Sequence, residues 1–157
     1  GDYSRDRLIP DCIRALKENK PITIRNPKST RPWQHVLEPL YGYLLLGSKL
    51  LGGEKRFADA WNFGPERESI VPVSKVADMV IKNWGSGKWL DVHEAGDLHE
   101  AKLLSLDISK SKKGLGWKPR WGIEKAVSMT IDWYKDADKK DAYGLCVKQI
   151  EEYVNEK

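Results

Sequence analysis

Apolar residues recur along this chain with two different spacings, which together predict a mixture of helices and short strands. Spacings of three and four predict helices over residues 7–18, 39–51, 75–84, 123–135 and 145–154. Alternating or short apolar runs predict strands over residues 22–25, 33–36, 60–63 and 89–92, with further extended chain at 71–73 and 101–107. Since no long series of strands alternates with helices, the pattern predicts an α/β domain of α+β-like character, without a continuous doubly wound sheet.

Polar residues at helix starts and glycines at helix ends sharpen these boundaries. Asp6, Ser74 and Ser109 are predicted to cap helices, the last of them a short basic helix that ends at Gly114. Gly52 and Gly85 are predicted to end the second and third helices. The sequence has no internal repeat, so we expect a single domain over residues 1–157.

Composition narrows the class of protein but leaves its function open. The 157 residues suffice for one hydrophobic core, and 32% of them are charged, more than is usual for a globular domain. No apolar run approaches the roughly 18 residues of a membrane span, and the polar start has no signal-peptide pattern. Cys12 and Cys146 fit buried thiols in a reducing cytosol better than a disulfide, so we expect a cytoplasmic protein.

The positive charge allows two interpretations. A formal net charge of +4 permits an anionic ligand or nucleic acid, but a modest lysine excess is also typical of a solvated surface. The most basic stretch, residues 110–120, is interleaved with Trp117 and Trp121, a pattern that can bind single-stranded nucleic acid by stacking. We favour the alternative, in which Leu115-Gly116-Trp117 turns into the core and the lysines face solvent.

Two arginines on neighbouring predicted strands form the first candidate site. Arg25 and Arg31 flank the turn cluster at residues 26–29, so both are expected near one rim. A guanidinium is planar and always charged, and it suits the oxygens of a diphosphate. A surface hairpin with solvated arginines is the competing interpretation, and His35 is more typical of a half-buried, hydrogen-bonded histidine than of a catalyst.

A doubled His-Glu-Ala sequence invites a metal-binding interpretation. His93-Glu94-Ala95 and His99-Glu100-Ala101 lie six residues apart, but Asp97 stands where an H-E-x-x-H motif needs its second histidine. The sequence has three histidines and no cysteine cluster, so we predict no metal site. It also has no phosphate-cradling glycine motif, and the Tyr-x-x-x-Lys at Tyr153–Lys157 is attributed to chance because chain ends fray.

Several longer runs resemble one family. Asp6-Arg7-Leu8-Ile9-Pro10, the run from Ile22 to Pro27, and the run from Thr30 to Val36 resemble the C-terminal half of extended short-chain dehydrogenases/reductases acting on nucleotide sugars. The strand-and-turn Trp61–Pro65 and the near-terminal pair of runs Leu106–Lys110 and Leu115–Pro119 resemble the same family in the same order. The resemblance extends over nearly the whole chain.

Within that family the resemblance is closest to the 4,6-dehydratases that act on CDP-sugars. Three features carry this choice: Arg31-Pro32-Trp33-Gln34-His35, His99-Glu100-Ala101 and Ile131-Asp132-Trp133-Tyr134. Relatives acting on UDP- or dTDP-sugars usually have Arg-Asp-Trp or Arg-Asp-Tyr at the first, and an arginine about ten residues before Asp107. Here that position is Asp97, so His99 or Glu100 is expected on that wall instead.

The resemblance implies a division of labour between two halves of a longer enzyme. An N-terminal Rossmann half, absent from this sequence, would bind NAD and hold the catalytic residues, so none of either kind is expected here. This half would bind the nucleotide end of a CDP-sugar, with Asn62 holding the adjoining loop. The implied substrate-binding residues are Arg7, Leu8, Thr23, Ile24, Arg25, Arg31, Asn62, His99 and Glu100.

The resemblance also carries implications beyond the site. The parent would be a homodimer or larger, and it would supply deoxysugars for a surface polysaccharide, with no membrane or nucleic-acid partner. A different nucleotide-sugar dehydratase or epimerase, acting on dTDP- or UDP-sugars, is the first alternative. A non-enzymatic basic binding module is the second.

Overall fold

The structure, a computed structural model, describes residues 1–93, 104–139 and 141–156. These ranges contain five α-helices and four three-residue strands. Three short helical turns lie between them, at Lys55–Phe57, Arg67–Ser69 and Ser111–Leu115. The α-helices and strands, in chain order, are α1 Leu8–Lys17, β1 Ile22–Ile24, β2 Thr30–Pro32, α2 Leu37–Leu51, β3 Ile70–Pro72, α3 Val73–Trp84, β4 Trp89–Asp91, α4 Ile123–Asp136 and α5 Ala142–Asn155.

The strands form two separate pairs. β1 lies parallel to β4, with Ile24 opposite Asp91. β2 lies antiparallel to β3, with Arg31 opposite Val71. Neither pair grows into a larger sheet within the described residues. The predicted fold class, helices with short strands and no continuous doubly wound sheet, is therefore confirmed.

The main core lies between helices α1, α3 and α4 and strand β1. The apolar stripe of each helix faces the same interior, and β1 contributes the two side chains that point away from solvent. Burial of such side chains is the main favourable term in folding. The most completely buried members, with at most 1% exposure, are Cys12, Ile22, Val76, Ala77, Val80 and Ile131.

Two smaller clusters extend this core towards α2 and α5. The first contains Phe57, Phe63, Ile108, Leu115 and Trp117. The second contains Trp121, Met129 and Tyr153, with Leu37 and Tyr41 of α2 packed against it. The prediction that Trp117 turns into the core is confirmed, because the residue is fully buried.

The three predicted N-caps, Asp6, Ser74 and Ser109, are wrong, because other residues occupy the cap positions or accept the hydrogen bonds there. Asp6 lies outside α1 with a φ of 58°, and Arg7 occupies the N-cap position. Pro72 stands at the N-cap of α3, while the N–H of Ser74 donates to the carbonyl of Pro27. At the short basic helix, Asp107 accepts a hydrogen bond from the N–H of Ser109.

Two predicted strands are also wrong. Residues 33–36 follow β2 instead of forming it, because the chain pairs with β3 three residues earlier and Trp33 then turns to donate its Nε1–H to Val71. Residues 60–63 form no strand in the described structure, where Asn62 bonds through its side chain to Asp107. Of the predicted extension at 101–107, residues 101–103 lie outside the described residues, and 104–107 have no regular structure.

The C-terminal helix begins earlier than its apolar pattern predicts. Asp141 caps α5 by accepting from the N–H groups of Tyr143 and Gly144. Cys146 on this helix is exposed, contrary to expectation, whereas Cys12 is buried, and burial raises the pKa of the Cys12 thiol to about 12. The longest helix has 15 residues, and no helix among the described residues is long and apolar enough to cross a membrane.

Candidate functional site

The end of β1 brings together the first group of predicted site residues. Thr23 is exposed between two buried isoleucines, and Arg25 follows the strand on the surface. The Arg25 guanidinium lies 3.5 Å from the carboxylate of Asp6, which directly precedes Arg7 at the start of α1. The start of α1 and the end of β1 therefore share one exposed edge.

Two predicted site residues at this edge, Ile24 and Leu8, direct their side chains towards the core. The Ile24 side chain belongs to the main core, and the Ile24 carbonyl accepts a hydrogen bond from the N–H of Val92 at 3.0 Å. Leu8 is half-buried against the same core. The surface that a ligand meets here is formed mainly by Arg7, Thr23 and Arg25.

Arg31 lies on the other strand pair. It is half-buried on β2, and its Nη1 donates to the carbonyl of Thr30 at 2.9 Å. The connection between β1 and β2 is held against the start of α3, since the N–H groups of Val73 and Ser74 donate to the carbonyls of Ser29 and Pro27. The turn that separates the two arginines is thus anchored by backbone hydrogen bonds.

Side-chain hydrogen bonds tie Asn62 to two other runs of the chain. Its Nδ2 donates to the carbonyl of Asp107 at 3.2 Å, and its own carbonyl accepts from the hydroxyl of Ser111. The Nε2 of Gln34 donates to the carbonyl of the next residue, Phe63, at 3.0 Å. Three runs that are distant in sequence therefore meet around residues 62 and 63.

His35 has the surroundings of a structural residue. It is buried with its ring 4.9 Å from that of Trp121, and its Nδ1 accepts a hydrogen bond from the N–H of Leu37. Burial lowers the pKa of His35 to about 4. The ring is therefore neutral at physiological pH, in agreement with the interpretation drawn from the sequence.

A fully buried carboxylate, missed in the sequence, joins three elements near the start of α2. Glu38 accepts from the N–H of Trp121 at 2.7 Å, from the N–H of Arg120 at 3.1 Å and from the Tyr153 hydroxyl at 2.7 Å. Burial and this hydrogen bond to the carboxylate both raise the pKa of Tyr153. In the sequence, the only signal for Glu38 was its position three residues after His35, at the start of a predicted helix.

Two lysines of the basic stretch are paired with carboxylates. Lys110 pairs with Asp59 at 2.5 Å, and Lys112 pairs with Glu66 at 2.7 Å. The rings of Trp117 and Trp121 are buried in the core, so no base can stack on them. These observations favour the solvated-surface interpretation.

The remaining candidates are the residues of the doubled His-Glu-Ala sequence. His99 and Glu100 lie outside the described residues. Among the described residues there is no group of three or more His, Cys, Asp or Glu side chains that could hold a metal ion. A surface depression of about 320 Å³ is lined by Leu16, Lys20, Gly87 and Lys88 among others, beside the start of β1 and at the opposite end of that strand from Arg25.

Comparison with known proteins gives two kinds of likeness, although no protein-family model matches the chain. Over 157 residues it is 40% identical to CDP-glucose 4,6-dehydratase of Salmonella typhimurium, across 99% of this chain and 44% of that protein. Over 142 residues it is 31% identical to UDP-glucuronate 4-epimerase of Thermodesulfobacterium geofontis, across 83% of this chain and 38% of that protein. The chain thus spans less than half the length of these relatives.

Solved structures show the same fold. The dTDP-glucose 4,6-dehydratase of Bacillus anthracis in complex with NAD matches 85% of this chain and 40% of its own, with a TM-score of 0.69 and 20% identity. The UDP-glucuronic acid 4-epimerase of Bacillus cereus in complex with UDP-glucuronic acid and NAD matches 84% and 40%, with a TM-score of 0.68 and 21% identity.

The chain is therefore related to the extended short-chain dehydrogenases/reductases, the class of nucleotide-sugar dehydratases and epimerases, and its fold matches their C-terminal part. The family resemblance predicted from the sequence is confirmed. Within this class, the chain is similar over almost its whole length to CDP-glucose 4,6-dehydratase, while dTDP-glucose dehydratases match at 24–26% identity.

Proposed function

We propose that this chain is the substrate-binding part of an NAD-dependent CDP-glucose 4,6-dehydratase, a lyase that converts CDP-glucose to CDP-4-keto-6-deoxyglucose and water. The observation that carries the proposal is the match to such an enzyme over 99% of the chain. In the overall reaction, C4 of glucose is oxidised, water is eliminated across C5 and C6, and C6 is reduced. NAD, when bound, would accept the hydride from C4 and return it to C6.

NAD would be held by a part of the protein outside this chain. A dinucleotide site needs a glycine turn that opens a helix beneath the pyrophosphate. The glycines with positive φ in the described residues, Gly53, Gly85, Gly87 and Gly116, instead follow helical segments. The described residues therefore do not fit the cofactor, and we assign none of them a part in the hydride steps.

The exposed edge at the end of β1 would bind the nucleotide. Arg7 and Leu8 would lie near the pyrimidine and ribose, and residues 23–25 would run beside the base, where Ile24 contributes backbone only. Arg31 would clamp the diphosphate, since a guanidinium makes short, charge-assisted bonds to phosphate oxygens. His99 and Glu100 would complete the wall. Binding energy from the nucleotide would then orient the reacting sugar.

An apolar face of α2 supports a second half that packs against this chain. Val36, Leu40, Tyr43, Leu44 and Leu51 point outwards, and their exposed fractions are 61, 45, 58, 75 and 92%. Contiguous apolar surface of this kind marks an interaction site. We propose that the NAD-binding half covers it. The parent would act in the cytoplasm as a homodimer or larger, supplying deoxysugars for a surface polysaccharide.

Calorimetric titration with CDP, UDP, dTDP and NAD tests the proposal, first on this chain and then on the full-length protein that contains it. We expect CDP to bind most tightly to both and NAD to bind the full-length protein alone. Arg31→Ala in the full-length protein should weaken CDP-glucose binding by about 1.5–3 kcal/mol, the size of a hydrogen bond to a charged group. Equal affinity for all three nucleotides, or none in the full-length protein, would refute the proposed substrate.

A further inference from the structure

Gln34 connects the two runs of the chain that carry Arg31 and Asn62. It follows Arg31 by three residues, and its Nε2 donates to the carbonyl of Phe63, the residue after Asn62, at 3.0 Å. The bond spans 29 positions in sequence. The bond directly links the residues that follow β2, 33–36, to the loop at residues 61–65.

The carbonyl oxygen of the same side-chain amide is unfavourable for stability. Gln34 Oε1 is buried, and it accepts no hydrogen bond from the described residues. Gln34 is one of the residues that line a cavity of about 50 Å³ with mostly apolar walls, including Trp33, Val76 and Val127. An unsatisfied buried acceptor is unfavourable, whereas an apolar side chain of similar shape avoids the loss. Packing alone therefore does not explain why this position is a glutamine, whereas the hydrogen bond donated by its Nε2 does.

The far side of the loop is held independently. The Asn62 carbonyl accepts from the Ser111 hydroxyl, and its Nδ2 donates to Asp107. Leu106 packs against Gly64, where an added Cβ would come within 3.0 Å of that side chain. These contacts fix one side of the loop to residues 106–111, and the bond from Gln34 ties Phe63 to the run that carries Arg31.

We propose that Gln34 is a positioning residue of the nucleotide-sugar site, which holds the Asn62 loop in register with Arg31; this inference rests on the proposed function. Gln34 itself does not touch the substrate. Loss of its donor should shift the loop relative to the arginine and weaken substrate binding, while the chemistry, carried out elsewhere, proceeds at its usual rate once substrate is bound.

A double-mutant cycle in the full-length protein tests this role, with Gln34→Met, Asn62→Ala and the two combined. Gln34→Met should raise the KM and Kd for CDP-glucose about fivefold, the effect of one net hydrogen bond, with kcat unchanged. Because Gln34 acts through the loop, it should have no further effect when Asn62 is already alanine. Gln34→Leu serves as a second variant with the same expectation.

Gln149→Met is the matched control. Gln149 also donates from Nε2 to a backbone carbonyl, that of Met129, at 2.6 Å, but it lies on α5 away from the site. Its substitution should change thermal stability and leave KM unchanged. An unchanged KM in both Gln34 variants, fully additive effects in the cycle, or failure of both variants to fold would overturn the positioning role. A wild-type protein that does not bind CDP-glucose would instead refute the proposed function, and this inference with it.

Discussion

Helices α2 and α4 both carry many apolar residues, but they differ in how many of these residues the interior buries. In α4, Val127 and Ile131 are buried, at 4 and 0% exposure, whereas Leu44 and Leu51 of α2 are 75 and 92% exposed. The inward side of α2 carries the apolar side chains of Leu37, Tyr41, Leu45 and Leu46 beside the buried Glu38 and Gly42, and a side chain at Gly42 would overlap the ring of Phe63. Unlike a usual surface helix, α2 is therefore apolar on both sides. Helix α4 stabilises this chain's own core, and we propose that a partner covers the outer face of α2.

The largest expected difference comes from matched truncations in the two helices. Ile131→Ala should lower the free energy of unfolding by about 2–5 kcal/mol, because it leaves a cavity in the main core. Leu44→Ala on the outer face of α2 should change it by less than about 0.5 kcal/mol. Urea unfolding of the chain measures both. Similar losses in the two variants would contradict the contrast between the helices.

Removal of the Glu38 carboxylate, which joins α2 to residues 120–121 and to Tyr153 of α5, should have the next largest effect on stability. Glu38→Ala leaves two backbone N–H groups and the Tyr153 hydroxyl without their acceptor. We expect a loss of about 2–4 kcal/mol in the free energy of unfolding. Tyr153→Phe, which removes a single donor, should cost less than half as much. A loss of equal size would place the effect in Tyr153 instead of the carboxylate.

The pH dependence of stability should report on His35, which lies at the same junction. Its folded-state pKa is about 4, compared with about 6.5 when unfolded. The unfolded state therefore binds a proton first, and stability should be full above pH 6.5 and fall as the pH drops from 6.5 to 4. The expected loss is about 2–3 kcal/mol, measured by denaturant unfolding across that range.

Two substitutions separate His35 from other titrating groups. His35→Asn keeps an acceptor for the N–H of Leu37 but cannot be protonated in this range, so its stability should vary less between pH 6.5 and 4. His93→Asn, at an exposed position, should leave the dependence intact. Identical pH profiles for wild type and His35→Asn would show that other groups determine the loss.

The smallest effect on stability should accompany a clear change in association. Leu44→Lys combined with Leu51→Lys should leave the unfolding free energy of this chain within about 0.5 kcal/mol of wild type. It should also reduce concentration-dependent self-association, seen by sedimentation velocity, because it places charge on the apolar face of α2. A marked loss of stability in the isolated chain would mean that this face is already packed.

Much of the helical structure followed from the sequence. The stripes in α1, α3 and α4 predicted both their positions and their buried sides, since a period of three to four fits the interior of this domain. Boundaries were less reliable. Asp6 and Ser74 have the right chemistry for caps, but the backbone of Arg7 and Pro72 occupies those positions.

The motif runs indicated Arg25, Arg31 and Asn62 as residues of one substrate site, and their binding roles stay predictions. In the structure, Gln34, three residues after Arg31, donates to the carbonyl of Phe63, the residue after Asn62. The hydrogen bonds of Gln34 and Glu38 were missed because their partners lie 29 and more than 80 positions away, respectively. The strand predicted at 60–63 failed for a similar reason: strand pairing needs a neighbour, which sequence alone does not supply.

The sequence by itself determined where helices form, which family the chain resembles and which arginines could meet a phosphate, because periodicity and side-chain chemistry are local properties. The tertiary structure alone decided that the Ile24 side chain is buried in the core, that Glu38 is a buried acceptor and that one apolar face of α2 points outwards. Each of these depends on which distant segments pack together, and therefore on burial and long-range hydrogen bonding.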